Sequence, residues 1–411
     1  MKKRLEVLQR EMVAKGISLI ISFTGTDEGL KGNVINELIL NLDQRNINVC
    51  HLDKNEVLNY NGPVLKKLWV YVPQRGKITL MDNRYESLLE EQISQELISG
   101  DVSEFGNYLT RNNVVLLDFD LNEESIDLNA ESDKFEGFVD GLRATIIGQL
   151  ESKLSENSNA DADADAEASF SFPSKKNLNL DDLTFSNHLS KAEYSQRIKE
   201  FEDSLRDIPQ RLGEKKKSLM ILFEGLDGAG KGTCIKEIAR HLDPREYKVY
   251  PRVLLKDFAK GYPDLYYYWK AVPEYGKISI MDRTWYNWVL DKRVNNECEE
   301  KTSAIMMNEI KAMERQMTHE GVILLKFWVG ISYEEQGRRF AKRMQDPAMM
   351  EKSLADDLEN RKNWSKFQEY AEIMITETST AHAPWVVIEA NSLEYAKEMV
   401  LKEIIGKIGK D

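Results

Sequence analysis

The sequence predicts a duplicated α/β fold: two three-layer units with parallel sheets, of which the N-terminal copy has degenerated. Three observations lead there. Residues 220 to 234, Met-Ile-Leu-Phe-Glu-Gly-Leu-Asp-Gly-Ala-Gly-Lys-Gly-Thr-Cys, read as an apolar strand running into a glycine-rich loop and then a helix. The same layout occurs once before, where Ser18-Leu-Ile-Ile-Ser-Phe23 ends in Gly25-Thr-Asp27-Glu-Gly29-Leu30-Lys31-Gly32. After each loop, strand-sized apolar runs alternate with helical patterns, the rhythm of a parallel sheet covered on both faces with its site at the carboxyl ends of the strands.

The duplication is quantitative. Pairing residues 11 to 85 with the residues 200 positions later gives 25 identities in 75 positions without a gap, where chance would give about four or five. Leu42-Asp43 and Arg45 meet Leu242-Asp243 and Arg245, Trp69 meets Trp269, and Met81-Asp82 meets Met281-Asp282. Such self-similarity marks an internal repeat.

Length and composition bound the remaining possibilities. At 411 residues the chain exceeds one typical domain, and 42% hydrophobic with 30% charged residues is an ordinary globular composition. A formal net charge of -13 argues against nucleic acid as a partner. Cys50, Cys234 and Cys298 lie too far apart for a zinc site or a disulfide framework and suit a reducing cytoplasm. Met-Lys-Lys-Arg at the start is followed by Glu6, Arg10 and Glu11 where a signal sequence would be apolar, and the run Ile17 to Phe23 is too short to span a membrane. A cytoplasmic homo-oligomer without membrane partners is expected.

Taken in order, residues 2 to 14 alternate charged and apolar at helical spacing, and Ser18 to Phe23 reads as a buried parallel strand. In the loop that follows, Leu30 stands where the second copy has a glycine, so a side chain crowds the place a phosphate would take. Val114-Val-Leu-Leu-Asp118 matches Val322-Ile-Leu-Leu-Lys326 at a shift of 208, but an acidic stretch from Asp120 through Glu123, Glu124 and Asp127 follows it instead of a basic helix. Residues 1–150 are therefore expected to form a non-catalytic scaffold, with a weak second active site as the rival reading. Residues 151–188, centred on the acidic repeat Ser158 to Glu167, read as a flexible linker. The second copy, 189–411, opens with an amphipathic helix from Lys191 to Leu212, and its strands are expected near 219–224, 247–254, 277–281, 322–329 and 385–389.

The chemistry concentrates in the second copy. Gly225, Gly230 and Lys231 have the spacing of a phosphate-binding P-loop; Gly228, Ala229, Gly232 and Thr233 complete the loop. Its amides converge on phosphate oxygens while the lysine neutralises charge. Gly232 stands where most such loops place the Ser or Thr that holds Mg²⁺, so that hydroxyl comes from Thr233 or is absent. Asp227, inside an anion cradle, repels phosphate unless a cation intervenes, so it reads as a magnesium ligand or a group that orients the acceptor. Lys277-Ile-Ser-Ile-Met281-Asp282 is a strand ending in a Walker-B-like acid, the second candidate metal ligand, and Arg283 beside it can reach a phosphate bidentately. Trp285, Tyr286 and Trp288 read as core or wall residues. Arg338, Arg339, Lys342 and Arg343 lie on a helix beyond the fourth strand, either as a lid over the phosphates or as a solvated charged face.

Gly225-Leu-Asp-Gly-Ala-Gly-Lys-Gly232, Asp282-Arg-Thr-Trp-Tyr-Asn287, Lys326-Phe-Trp-Val with Glu334-Glu-Gln and Arg338-Arg-Phe, and His382-Ala-Pro-Trp385 with Glu389-Ala-Asn391 together resemble the family-2 polyphosphate kinases over nearly all of residues 190 to 405. Two fused copies, with Tyr-Tyr-Trp269-Lys-Ala-Val-Pro273 ahead of the Walker-B strand, are most similar to the two-domain polyphosphate:AMP phosphotransferases. The resemblance implies a P-loop kinase-like fold and Mg²⁺-dependent phosphoryl transfer between inorganic polyphosphate and a nucleotide, here AMP to ADP. It further implies that Asp227 and Asp282 handle the metal and the nucleotide phosphate, that Lys231 and Arg283 take the polyphosphate end, and that the 338–343 segment is the lid. An ATP-dependent small-molecule kinase and a nucleotide- or polyphosphate-binding pseudo-enzyme are the alternatives. Three positions depart from the family: Trp288 stands for a second arginine, Pro347 to Lys352 for a more basic segment, and Lys256-Asp-Phe-Ala-Lys260 for a Pro-Ser/Thr-acid-Glu segment.

Overall fold

The computed structural model describes residues 1–40, 42–51, 59–84, 95–122, 132–159, 180–251, 261–345, 358 and 360–410. These fall into two compact units: one holds the described residues within Met1–Tyr60, Val64–Ser169 and Leu255–Lys270, the other those within Asn61–Pro63, Phe170–Leu254 and Ala271–Asp411. The partition departs from a simple cut between the repeats. Residues 261–270 of the second repeat belong with the first unit, where Trp269 stacks on Trp69 with ring centroids 5.9 Å apart and the Leu265 amide donates to the Tyr108 hydroxyl.

In the first unit α1 (Lys2–Lys15) precedes β1 (Ser18–Thr24), α2 (Glu28–Ile39), β2 (Ile47–Cys50), α3 (Val64–Trp69), β3 (Ile78–Met81), α4 (Gln95–Arg111), β4 (Val114–Asp120) and α5 (Ser132–Asn159). The four strands are parallel in the order β2-β3-β1-β4. One core joins α1, β1, α2 and α5, with Leu8, Phe23, Val34 and Val139 wholly buried. The helix α5 runs to Asn159 and so takes the first part of the segment expected as a linker. Its 28 residues carry Val139, Ile146 and Leu150 into that core, and this apolar spacing outweighs the acidic composition around it. The centre of the expected linker, 160–179, lies outside the described residues.

The linker's other end is also ordered. Leu180 donates its amide to the buried Glu372 carboxylate, and Asn187 donates to Glu389. The single helix expected over 191–212 is three: α6 (Lys191–Arg197), α7 (Glu202–Arg206) and α8 (Ile208–Glu214). A capping box of Ser190 and Glu193 starts the first. Pro209 at the first turn of α8 explains the last break, since proline opens a helix but cannot continue one.

The chain continues with β5 (Ser218–Glu224), α9 (Lys231–His241), β6 (Tyr247–Tyr250), α10 (Tyr266–Ala271), β7 (Ile278–Asp282), α11 (Trp285–Val294), α12 (Glu300–His319), β8 (Val322–Gly330), α13 (Tyr333–Met344), α14 (Trp364–Thr378), β9 (Trp385–Glu389) and α15 (Leu393–Lys410), all in the second unit except α10, which up to Lys270 belongs to the first. The second unit's five parallel strands run β6-β7-β5-β8-β9. The two sheets share their registers: Leu19 pairs with Ile78 as Leu219 pairs with Ile278, and Ser18 with Val114 as Ser218 with Val322. β6 ends at Tyr250, four residues short of the expected strand end. Central strands β5 and β8 are buried at every residue, as a sheet covered on both faces requires.

Candidate active site

The loop after β5 is built by backbone geometry. Gly225 has φ 135°, and a Cβ there would sit 2.2 Å from the Val329 carbonyl oxygen, so β5 passes β8 only because this residue has no side chain. A tight turn follows, with the Ala229 amide donating to Leu226 O at 3.2 Å, and Gly230, at φ 111°, opens α9. The N–H groups of Gly228, Gly230, Lys231 and Gly232 donate to no acceptor among the described residues. They form an open ring of donors at the positive end of α9. Lys231 is buried and turns its ammonium back on the loop, donating to Gly225 O at 2.7 Å and Leu226 O at 3.0 Å. Burial, helped by the nearby Arg283 charge, lowers its pKa to about 8 against the support of Asp227 and Asp282.

The sequence-predicted residues Asp227, Lys231, Asp282 and Arg283 come together at the carboxyl ends of β5 and β7. Arg283 Nη2 donates to Asp227 Oδ1 at 2.6 Å, and Asn360 Nδ2 donates to Asp227 Oδ2 at 3.0 Å. Burial works to raise the Asp227 pKa, but the Arg283 and Lys231 charges with these hydrogen bonds hold it below the usual carboxylate range. Asp282 closes β7 half-buried. Thr233 lies in the first turn of α9, where its amide donates to Gly230 O.

The basic helix α13 touches the loop through Arg339 and Gln336. Arg339 grips it from behind, donating to the carbonyls of Gly228 and Ala229 at 2.9 Å each, and to Ala390 and Asn391 beside β9. Gln336 donates to Asp227 O at 2.7 Å and in turn accepts from Arg361. Arg338 is 73% exposed and pairs with Glu335 on its own helix, and Lys342 is exposed. Arg343 is half-buried, its guanidinium 5.7 Å from the Phe340 ring centroid. Of the four residues expected as a lid, only Arg339 touches the phosphate loop among the described contacts. The departures at 256–260 and 347–352 lie outside the described residues.

Beneath the site, the expected core residues Trp285 and Tyr286 are fully buried. Both donate to Glu314, which also pairs with Lys326 at 2.8 Å, and neither member of that ion pair has any solvent exposure. Trp288 is half-buried under the Lys292 ammonium.

The sequence assigns no role to four residues here, Glu224, Gln336, Asn360 and Arg361, although Gln336 lies within the quoted Glu334-Glu-Gln motif. Glu224 carried a signal, a carboxylate closing an otherwise apolar strand, replaced by Thr24 in the first copy. Asn360 and Arg361 carried none, since only the folded chain brings them back to Asp227 and α13.

In the first copy the same segment is wound shut. α2 starts at Glu28, three residues earlier than its counterpart, and Asp27 caps it by accepting from the Leu30 amide. The Lys31 amide donates to Asp27 O, and the Lys31 ammonium is held by Asp82 O at 3.1 Å and by Glu28 at 2.6 Å.

A parallel sheet whose central strand runs into an open amide loop and buried lysine, with an acid and an arginine at the end of the neighbouring strand, defines a P-loop kinase-like protein. The family model for Polyphosphate kinase 2 (PPK2) matches residues 1–128 and 188–411, and the chain belongs to that family. It is 38% identical over 225 residues to the polyphosphate:AMP phosphotransferase of Pseudomonas syringae pv. tomato, covering 55% of this chain and 45% of that one. With the polyphosphate:AMP phosphotransferase of Pseudomonas aeruginosa it shares 32% over 225 residues, again 45% of the relative. The chain thus spans less than half the length of these curated relatives. A crystal structure from Pseudomonas aeruginosa PA01 assigned to polyphosphate kinase 2 superposes on 100% of this chain and 94% of its own with a TM-score of 0.80 at 23% identity, a likeness of fold.

Proposed function

We propose that this chain transfers a phosphoryl group between inorganic polyphosphate and a nucleotide, AMP to ADP in the first instance, with Mg²⁺, and that the second copy alone does the chemistry. The observation that carries the assignment to the second copy is the contrast between the two loops: four amides of residues 228–232 donate to no acceptor among the described residues, while the first copy uses the corresponding segment to start a helix. The named relatives support the substrates.

The residues present fit the metal. Mg²⁺ is held by one or two carboxylates and completes its shell with phosphate oxygens and water, and the Asp282 carboxylate takes no hydrogen bond from the described residues. Asp227 and Asp282 would hold it; when bound, the ion neutralises charge on the reacting phosphates. The chain's own residues do the rest. The loop amides and Lys231 bind phosphate oxygens, Arg283 leaves Asp227 for the group in flight, and Arg339 and Gln336 keep the loop carbonyls turned away from it. No protein group forms a covalent bond in this scheme. A homo-oligomer in the cytoplasm remains part of the proposal, and among the described residues no helix is long and apolar enough to cross a membrane.

The test is a coupled assay of purified protein with Mg²⁺, polyphosphate and each nucleoside mono- or diphosphate, with ATP as the rival donor. Asp227→Asn and Lys231→Ala each abolish transfer with the fold intact, while Lys31→Ala leaves it unchanged. Wild-type transfer from ATP but not polyphosphate, or full activity in both second-copy variants, refutes the reading.

A further inference from the structure

We propose that Glu224 is a positioning residue: its buried carboxylate holds Arg283 and Thr284 in the geometry that aims Arg283 at Asp227 and the phosphate site. This inference rests on the proposed phosphoryl transfer. Glu224 ends β5 with no solvent exposure. Its Oε1 accepts from the Thr284 amide at 2.7 Å and the Thr284 hydroxyl at 2.9 Å, and its Oε2 faces Arg283 Nη1 at 3.5 Å. Both oxygens are therefore spent on the two residues that leave β7.

Those residues need holding. Arg283 has φ 70°, a left-handed backbone that a non-glycine residue adopts only when its surroundings over-determine it. The Phe223 carbonyl accepts the Arg283 amide at 3.1 Å, and Glu224 accepts the next amide along. So the end of β5 clamps both peptides that flank the strained residue. The guanidinium then bridges two carboxylates, Glu224 through Nη1 and Asp227 through Nη2 at 2.6 Å. With Lys231 alongside, two buried cations balance two acids, and Asp227 need not carry Arg283 alone. When a phosphate draws Arg283 from Asp227, the Glu224 contact remains as the pivot.

A purely structural role, tying β5 to β7, is the rival explanation, and the first copy argues against it. There the three positions are Thr24, Asn83 and Arg84: the carboxylate is gone, and the guanidinium stands one residue later, where it pairs with Asp118 at 3.6 Å. Yet β1 pairs with β3 in the same register as β5 with β7. The strands keep their register without the bridge, although the pairing stops at Ser22 with Met81 where the second copy adds Phe223 with Asp282; what the first copy lacks beside it is an open phosphate loop.

The experiment compares wild type with Glu224→Gln, Arg283→Gln and the double variant, reading thermal unfolding, tripolyphosphate binding by calorimetry at several pH values, and steady-state transfer. Glu224→Gln keeps an acceptor for Thr284 and removes the charge. The expected result is unfolding within a few degrees of wild type and a loss of about 10- to 100-fold in kcat/KM, the range found when the group behind a liganding residue is removed. The alkaline limb of tripolyphosphate binding moves to lower pH, because an anion supporting the Lys231 charge is gone. The double variant is no worse than Arg283→Gln, since Glu224 acts through Arg283. Wild-type kinetics in Glu224→Gln, or a penalty that adds in full to that of Arg283→Gln, overturns the proposal. A wild type that binds tripolyphosphate without transferring it refutes the enzymatic reading while the binding comparison still decides the role of Glu224; failure of the wild type to bind overturns both. If Glu224→Gln does not fold, Glu224→Asp, which keeps the charge and withdraws it by one methylene, is measured the same way.

Discussion

Replacing Lys231 by methionine turns the burial of one ammonium into a measurement. Its pKa falls from 10.5 to about 8 in the folded chain, burial being the largest cause. At about 1.4 kcal/mol for each tenfold change in proton affinity, the charged lysine costs the fold about 3 kcal/mol at neutral pH. Methionine removes that cost but takes the ammonium from the buried carbonyls of Gly225 and Leu226, an offset of about 1 kcal/mol each. The net expectation at pH 7 is a variant more stable by about 1 kcal/mol, near 2–4 °C in Tm for a unit of this size, with no transfer activity. The pH dependence carries the sharper sign. Because the folded pKa lies below the unfolded one, the unfolded chain binds more protons between the two, and the wild type gains stability as pH rises from about 8 toward 10.5. By pH 9.5 about 2 kcal/mol of the cost is relieved, and the order of the two proteins reverses. Thermal unfolding followed from pH 7 to 10 checks this. A difference between the proteins that stays flat with pH refutes the reasoning.

Two further outcomes follow from the contacts around the loop. Arg339→Lys keeps a charge but cannot reach four carbonyls at once, so KM for polyphosphate should rise about 10-fold or more, while Arg338→Ala, on a side chain 73% exposed, should change neither kinetics nor Tm; steady-state kinetics on both checks the difference. Lys326→Met strands Glu314 beneath α11 and should destabilise the second unit by about 3–5 kcal/mol, measured by denaturant unfolding.

Much of this was legible in the sequence for identifiable reasons. The strand, loop and helix at 218–241 are visible because an unbroken apolar run, four glycines and a lysine admit few other conformations, and the repeat at a fixed shift of 200 doubles the signal. Asp227, Asp282 and Arg283 could be picked out because charged residues at strand ends stand against an apolar background. The helix over 191–212 misled because apolar spacing continues through Pro209 while the backbone cannot. The linker misled because acidic composition says nothing of which face of α5 meets a core. Arg339 stands out in the sequence by its charge, whereas in the structure its contacts are with four carbonyls, and no one-dimensional pattern reveals such contacts. Asn360 and Arg361 stay invisible because their partners lie 133 and 25 residues away.

The two loops also show how a phosphate cradle is lost by local backbone preference. Gly230 opens α9 at φ 111°, where a leucine is strained. Leu30 at the same place lies within α2, so the chain there takes the right-handed helical path and the helix gains its start at Glu28. That path consumes the amides: Leu30 donates to the Asp27 carboxylate, Lys31 to the Asp27 carbonyl, and Gly32 lies inside the helix. The carboxylate that in the second copy pairs with an arginine becomes an N-cap in the first, a role Asp fills readily and which stabilises the closed form by about 1 kcal/mol. Lys31, with no anion to meet, is satisfied by Asp82 O and Glu28. One substitution therefore accounts for the closed loop and for the changed duties of Asp27 and Lys31. It does not account for Thr24, at the end of β1, or for Asn83 and Arg84, which follow β3. Reopening the loop at Leu30 would restore donors without the guanidinium or the acid behind it, and binding of phosphate and its transfer are separable properties of this fold.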